Sequence, residues 1–456
     1  MNRYAIVAAL ALVASLVIGC RPPDYQVNVI RIGAVFPISG NAAALAGPEL
    51  AGVRIAADLV NADGGIAGRR VELEVRDLRS RGEAEAVMTE LREKGIRLVI
   101  GAYSSDLSIA ASEAADRAGL LYWEAGAVAD RLTGRGLPMV FRVGASGSNL
   151  GANSSAFAAD DLAARLGKDR SELRVAIAVA DDEYARSVAD AAEATAAERG
   201  MPVVIRRTYD LAFPDWPSVM ADLAAARADV IILASHIPDG IAFRQAMLAA
   251  GLKVGALIGS TMAECDPDFA GVLGPDAVGI FASDRPTAGF QASALGAEAA
   301  AAYARFAPAW AAAAGESGGE GDTPGDRYGE SDYTIHGPAE DATAEESEEA
   351  LAGFAAAWAL FRHVLPTVES TAGGPPGGAP AELDAAAVAA AARAVDLPDG
   401  SLPNGAGLRF SADPARLGQN ERAAAVIWQW QAVRTYAFVW PPTYATGEVA
   451  FVPLER

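Results

Sequence analysis

Short aliphatic stretches alternate with amphipathic helical ones through the first half of this chain, and the alternation runs twice. In the first run an aliphatic strand pattern, Val29 to Phe36, leads into Pro37-Ile38-Ser39-Gly40. Leu50, Val53, Ile55, Ala56 and Leu59 then recur at helical spacing between Pro48 and Asn61. After the turn Asp63-Gly64-Gly65 come a strand Val71 to Val75, a helix Glu83 to Lys94, a strand Leu98-Val99-Ile100, a helix Leu107 to Ala118 and a short strand around Leu120 to Trp123. The second run follows Arg142. It places strands at Val175 to Val179, Val203 to Ile205, Val230 to Leu233 and Val254 to Ile258, with helices Tyr184 to Ala197, Trp216 to Ala226 and Gly240 to Ala250 between them. Parallel strands need a crossover, usually a helix, so this order predicts an α/β fold with parallel sheets. Two windings of similar size predict two doubly wound, Rossmann-like lobes. A cleft between lobes is where small-ligand pockets form. The length agrees, because 456 residues are more than one hydrophobic core usually serves.

Composition narrows the partners. The net charge of −21 argues against nucleic acid. About half of it lies in residues 315–349, which hold twelve Asp or Glu and the single Arg327. So acidic and aliphatic-poor a stretch buries too little surface to offset its ordering entropy, and it is expected to be a disordered insertion. Gly373 to Pro380 reads as a second flexible stretch, between a helix ending near Leu365 and the alanine-rich helix Asp384 to Ala394. Val426 to Trp430 and Tyr436 to Trp440 have the aromatic and β-branched content of a hairpin or paired strands.

The N-terminus reads as an export signal. Met1-Asn2-Arg3 precedes an apolar run from Tyr4 to Ile18 broken only by Ser15, and Gly19-Cys20 follows. The run is shorter than the roughly 20 residues a membrane span needs, and Arg21-Pro22-Pro23 stops any helix. Val17-Ile18-Gly19-Cys20 resembles the bacterial lipobox. That resemblance implies cleavage after residue 19, acylation of Cys20, and a protein held at the membrane on its periplasmic or outer face. Cys265 then has no disulfide partner within the chain. Enzyme motifs are missing: the one Gly-x-Ser-x-Gly match, Gly315 to Gly319, opens the acidic stretch and is no strand-to-helix elbow, and there is no phosphate loop ending in Lys-Ser or Lys-Thr and no His-Glu-x-x-His. With His236, His336 and His363 scattered, neither a metal site nor a cofactor is expected, and the reading is a binder, not an enzyme.

Four motifs then carry a family resemblance. They are Phe36-Pro37-Ile38-Ser39-Gly40, Asn61-Ala62-Asp63-Gly64-Gly65-Ile66-Ala67-Gly68-Arg69, Ile100-Gly101-Ala102-Tyr103-Ser104-Ser105, and Phe141-Arg142-Val143. In order and spacing they resemble the type I periplasmic binding proteins, specifically the leucine, isoleucine and valine binding family of ABC importers. The resemblance is good over residues 28 to 290 and looser beyond. It implies a signal (1–19), a tether (20–27), lobe 1 (28–142), lobe 2 (143–282), a return to lobe 1 that carries the acidic insertion (283–400), and a C-terminal segment (401–456) mainly in lobe 2 and the hinge. The lobes would be joined by a multi-strand hinge. It further implies capture of an amino acid or related molecule for an ABC permease complex. A sensor of the same fold signalling to a membrane receptor is the alternative, which the residues do not separate from transport.

Candidate ligand contacts sit at strand ends. Ser104 and Ser105 lie between an apolar strand and a helix, where hydroxyls and unpaired N–H groups converge on a carboxylate, the use the family makes of this site. The competing role for a serine there is a helix cap. Beside them, backbone groups at Gly126 and Ala127 are placed to reach a ligand, and Val128 stands where the family has a contacting threonine. Glu124 reads equally as an acceptor for an ammonium or amide group and as a solvated loop acid. Trp123 reads as a cleft wall or as core. On the second lobe Tyr184, after Asp181-Asp182-Glu183, matches the family's ligand-contacting tyrosine, and His236 falls where the family has a second aromatic contact. Thr261 falls near the family's acid for the α-amino group, with Glu264 close enough to replace it. The changes at Val128, His236 and Thr261 widen the ligand class to amides, urea-like molecules and small carboxylates.

Overall fold

The fold is described from a computed structural model, over residues 29–40, 42–260, 267–286, 289–317, 347–371, 383–433 and 435–454. Elements are numbered in chain order. The first lobe contains β1 (Val29–Phe36), α1 (Ala43–Ala62), β2 (Arg70–Asp77), α2 (Ala84–Glu93), β3 (Leu98–Gly101), α3 (Ser105–Ala118), β4 (Leu121–Glu124) and β5 (Val140–Arg142). Its sheet has the order β2-β1-β3-β4-β5 with every neighbouring pair parallel. Each residue of β3 and β4 is buried, as a sheet covered by helices on both faces requires. Trp123 belongs to this core: it is fully buried and its indole N–H donates to the Ala356 carbonyl at 2.9 Å.

The second lobe follows with α4 (Gly147–Phe157), β6 (Val175–Ala180), α5 (Glu183–Glu198), β7 (Val203–Tyr209), α6 (Trp216–Ala226), β8 (Val230–Ala234), α7 (Ile237–Ala250), β9 (Ala256–Ser260), α8 (Pro267–Leu273) and β10 (Phe281–Asp284). The chain then returns to lobe 1 through α9 (Ala297–Ser317) and α10 (Glu348–Trp358). A π-helical turn, Ala359–Val364, carries α10 into α11 (Leu365–Thr371), and α12 (Ala385–Ala394) follows. Helix α10 crosses α1 as closely as backbones permit. A Cβ on Gly52 would overlap the Ala350 carbonyl, and one on Gly353 would overlap the carbonyl of Glu49. The apolar stretch Glu348–Glu369 is long enough to cross a membrane, but it is mostly buried inside the fold, which accounts for its composition.

The last segment is shared. After β11 (Asp396–Leu397) and β12 (Leu408–Arg409), Phe410 packs edge-on against Trp123 and Phe141 of lobe 1, with centroids 5.3 and 5.1 Å apart. Asn420 Nδ2 donates to the Val143 carbonyl at 2.9 Å. Strands β13 (Val426–Ala432) and β14 (Thr435–Trp440) then join the second sheet, whose order is β14-β13-β10-β9-β8-β6-β7. The β10–β13 and β13–β14 pairs are antiparallel and the rest parallel. Residues 401–456 thus combine a stretch that packs at the crossing to lobe 1 with two strands of the lobe 2 sheet.

The expected acidic insertion needs correcting at both ends. Residues 315–317 finish α9, and Ser347 caps α10 by accepting from Ala350 N at 3.2 Å. Glu348 follows in the first turn, where a carboxylate suits the helix dipole, and it is buried against Arg285. An acid counted by composition as solvated is thus a core residue. The remainder of the insertion, 318–346, and the stretch Gly373 to Pro380 lie outside the described residues, as do Cys20 and Cys265.

Candidate ligand-binding cleft

All parallel strands of a lobe end at one edge, and the loops from the two such edges enclose a cavity of about 210 Å³. Lobe 1 supplies Tyr103, Ser104, Ser105 and Asp106 from the β3–α3 junction and Gly126, Ala127 and Val128 from the loop after β4. Lobe 2 supplies Asp182, Glu183 and Tyr184 from β6–α5 and His236 from β8–α7, with Arg285 at the exit of β10. Ser104, Ser105, Gly126, Ala127, Val128, Tyr184 and His236 are thus brought together. Glu124 is not among the lining residues, and Thr261 and Glu264 lie outside the described ones.

The two serines divide the work. Ser104 is extended (φ −79°, ψ 145°) and its Oγ accepts from Leu107 N at 3.3 Å, so it is the N-cap of α3. Ser105 Oγ accepts from Ala129 N at 3.1 Å, which pins the neighbouring loop and leaves its hydroxyl hydrogen to donate. The first-turn N–H groups of α3 have no partner inside the helix, and its positive dipole end borders the cavity. This edge of the cleft is equipped for an anion.

Glu124 faces inward, neither a solvated loop acid nor a cleft acceptor. It is fully buried, and its Oε1 accepts from the backbone N–H groups of Ala125, Gly126 and Ala127 at 3.1, 2.9 and 2.8 Å. Tyr122 Oη donates to Oε2 at 3.1 Å. Burial raises the carboxyl to about 7, held back by those hydrogen bonds. Of the backbone groups of Gly126 and Ala127 expected to reach a ligand, the N–H groups are already taken by Glu124. Their carbonyls each accept one bond, Gly126 from Arg285 Nη1 at 2.8 Å and Ala127 from Arg142 Nη1 at 3.3 Å, and each keeps a second lone pair. Val128 makes the rest of the loop's cavity surface apolar.

Opposite, Asp182 caps α5 by accepting from Ala185 N at 2.7 Å, and Tyr184 in the first turn is buried. Its Oη lies 3.1 Å from both the carbonyl and the Oγ of Ser260. The tyrosine therefore contributes a ring wall, which stands edge-on to His236 with centroids 5.1 Å apart. His236 Nε2 sits 2.9 Å from Asp182 Oδ2, and Nδ1 sits 3.6 Å from Asp239 Oδ1. Burial pulls its pKa down, but the two carboxylates outweigh that and raise it to about 10. At neutral pH the cleft carries an imidazolium. Contacts across the cleft, Asp130 N to Ser187 Oγ at 3.0 Å and the pair Arg131–Glu183 at 3.4 Å, hold the two walls together.

Sequence reasoning missed Tyr103, Asp182 and Arg285. The signal for Asp182 was its place beside Tyr184 after a strand. Ser283-Asp284-Arg285, a polar triplet closing an apolar strand, was the signal for Arg285.

Known proteins resemble this chain at two levels. A family model described as periplasmic binding protein matches residues 29–323. The Leu/Ile/Val-binding protein homolog 8 of Brucella abortus (strain 2308) is 29% identical over 427 residues, 92% of this chain and 93% of its own. Among solved structures, a periplasmic binding protein type 1 from Bordetella pertussis Tohama I superposes with a TM-score of 0.65 at 19% identity, over 88% of this chain and 96% of that one. An ABC transporter substrate-binding protein from Desulfitobacterium hafniense in complex with Leu has a TM-score of 0.63 at 20% identity, over 90% and 99%. At these identities the structural likeness speaks for the fold.

The His236 geometry makes a checkable statement. A pKa raised on folding contributes stability that is fully present below the ordinary imidazole value of about 6.5 and is lost as pH rises through about 10. The His236 ring protons, followed by NMR, should show no titration between about pH 6 and pH 8, and Asp182→Asn should bring the midpoint down. A wild-type midpoint near neutrality would contradict the ion pair.

Proposed function

The chain belongs to the periplasmic binding protein family, and we propose on that premise that it captures a small polar molecule between its lobes and delivers it to an ABC importer. The ligand class is an amino acid or a related amide or carboxylate. The observation that carries this reading is the cavity itself, walled by strand-end loops of both lobes, with the N-terminus of α3 at Ser104 and Ser105 on one side and the Tyr184 ring on the other. An anionic group of the ligand seats on the Ser105 hydroxyl and the first-turn N–H groups, where dipole and donors favour it. Its apolar part lies against Val128 and Tyr184, and the His236 imidazolium with its partner Asp182 completes the wall on lobe 2.

Such a molecule needs no chemistry from the protein. Binding shifts a population of open and closed forms toward closed, because only the closed form offers both walls, and a permease that distinguishes the two receives loaded protein. The leucine complex of the Desulfitobacterium hafniense protein, which shares the fold, supports the amino-acid end of the ligand class. Export and anchoring through Cys20 complete the reading, supported by the short apolar run and Val17-Ile18-Gly19-Cys20.

A thermal-shift screen of amino acids, amides, urea and short carboxylates on the purified full chain should find at least one that raises the melting temperature, since a ligand bound by the folded state alone stabilises it by mass action. Ser105→Ala should weaken that ligand roughly tenfold, the usual cost of one hydrogen bond to a charged group. Unchanged affinity would remove Ser105 from the site. Separately, Cys20→Ser should move the exported protein from the membrane fraction to the soluble one, and retention in the membrane would argue against acylation there.

A further inference from the structure

Capture as described leaves one group without a role, just behind the loop that lines the cleft. Glu49, in the second turn of α1, is fully buried, and neither of its carboxylate oxygens has a hydrogen-bond partner among the described residues. Its carboxylate lies against Gly126, close enough that a Cβ on that glycine would overlap it, and Gly126 borders the cavity. Tyr103 borders the cavity as well. Its backbone is in the left-handed region (φ 76°), a strained conformation for a tyrosine, it is 6% exposed, and its Oη also has no partner. A buried acceptor or hydroxyl left unpaired costs free energy, so native proteins rarely keep either unless something completes it.

The charge around them says what that something is. Glu124 from β4, Asp284 at the end of β10, and Glu348 and Glu349 at the start of α10 join Glu49 in this floor, with Tyr122 behind. Two arginines face these five acids. Arg285 is spent on Glu348 and on the Gly126 carbonyl, and Arg142 donates to carbonyls and to Gln419. The floor is rich in acceptors and short of positive charge. Its acids are not arranged as metal ligands, because no group of three or more His, Cys, Asp or Glu among the described residues is placed to hold an ion. We propose that Glu49, behind Gly126, and Tyr103, at the cavity edge, form a subsite for a cationic nitrogen group of the ligand, an ammonium or amidinium. The subsite rests on the capture proposed above. It adjoins the anion site, because Tyr103 and Ser105 belong to one loop, so a zwitterion with neighbouring ammonium and carboxylate groups reaches both.

A proton stands in for the cation when the cleft is empty. Burial pushes the Glu49 carboxyl well above the usual range, with the Glu124 charge adding to it. Burial likewise raises Glu349 to about 7, with the neighbouring Glu348 charge adding to it. An arriving cation favours the ionised carboxylates, so binding releases protons to solvent.

The test uses the full chain and three probes of one shape: L-leucine, isopentylamine, which keeps only the ammonium, and 4-methylpentanoate, which keeps only the carboxylate. Benzamidine is included for the amidinium class. Leucine and at least one of the two cationic probes should raise the melting temperature of the wild type. Glu49→Gln should weaken those ligands roughly tenfold or more, Tyr103→Phe should weaken them less, and neither should alter the binding of 4-methylpentanoate. Calorimetric titration with leucine in phosphate and in Tris should show net proton release from the wild type and none from Glu49→Gln. The glutamine is isosteric with a protonated acid, so the unliganded variant should melt no lower than the wild type. Leucine affinity and proton release both unchanged in Glu49→Gln overturn the subsite. So does binding confined to carboxylates or amides without a cationic group, which leaves capture standing. If no probe and no member of the wider screen binds, capture falls and the subsite falls with it.

Discussion

The rest of the structure depends on one buried ion pair. Arg285 leaves the end of β10, gives Nε and Nη2 to Glu348 at the head of α10, and gives Nη1 to the Gly126 carbonyl in lobe 1. Three parts of the chain far apart in sequence are joined there: the strand on which lobe 2 ends, the loop that floors the cleft, and the helix that returns to pack on α1. The two side chains are only 6% and 3% exposed, so the desolvation cost is large and is offset only because the guanidinium is so fully engaged. Burial would lower the Arg285 pKa, but Glu348 and its acidic neighbours more than compensate and hold it above the ordinary guanidinium value. A site assembled from both lobes needs its crossover fixed in this way, or the cavity would have no defined shape.

The same pair explains the acid-rich floor. Once Arg285 is committed to Glu348, the remaining carboxylates have little positive charge to face. Glu124 is satisfied by three backbone N–H groups that its own loop supplies, which fixes the course of Ala125 to Ala127 along the cavity. Glu49 has no such arrangement. Its position follows from the close crossing of α1 and α10 at Gly52 and Gly353, which brings the helix bearing Glu49 under the loop that carries Gly126. Packing of the lobe thus delivers an unsatisfied acid to the back of a loop that lines the interlobe cavity.

Much of the fold was legible because the aliphatic and helical periodicities are local. The runs Val29 to Phe36 and Val175 to Val179 fall within β1 and β6, and the helix predicted from Tyr184 to Ala197 lies inside α5. The strand-end position of Ser105 and Tyr184 was equally readable, since parallel sheets put such junctions on one edge. Long-range satisfaction was not readable. Glu348 and Glu349 look like more of an acidic run until Arg285, 63 residues earlier in sequence, is brought against Glu348. Glu124 looks like a loop acid until the turn folds three N–H groups onto it. Ser104 and Ser105 look equivalent, and only the geometry assigns the cap to Ser104. Composition prices an acid as if solvated; burial and partners decide whether it is.

The central claim, that the interlobe cavity is where a small ligand is held, is tested most directly by a crystal structure of the protein with whichever small molecule raises its melting temperature. The account predicts ligand density touching Ser105 on one lobe and the Tyr184 ring on the other. Density on the outer surface of either lobe, or a cavity left empty while the ligand still stabilises the protein, would contradict it.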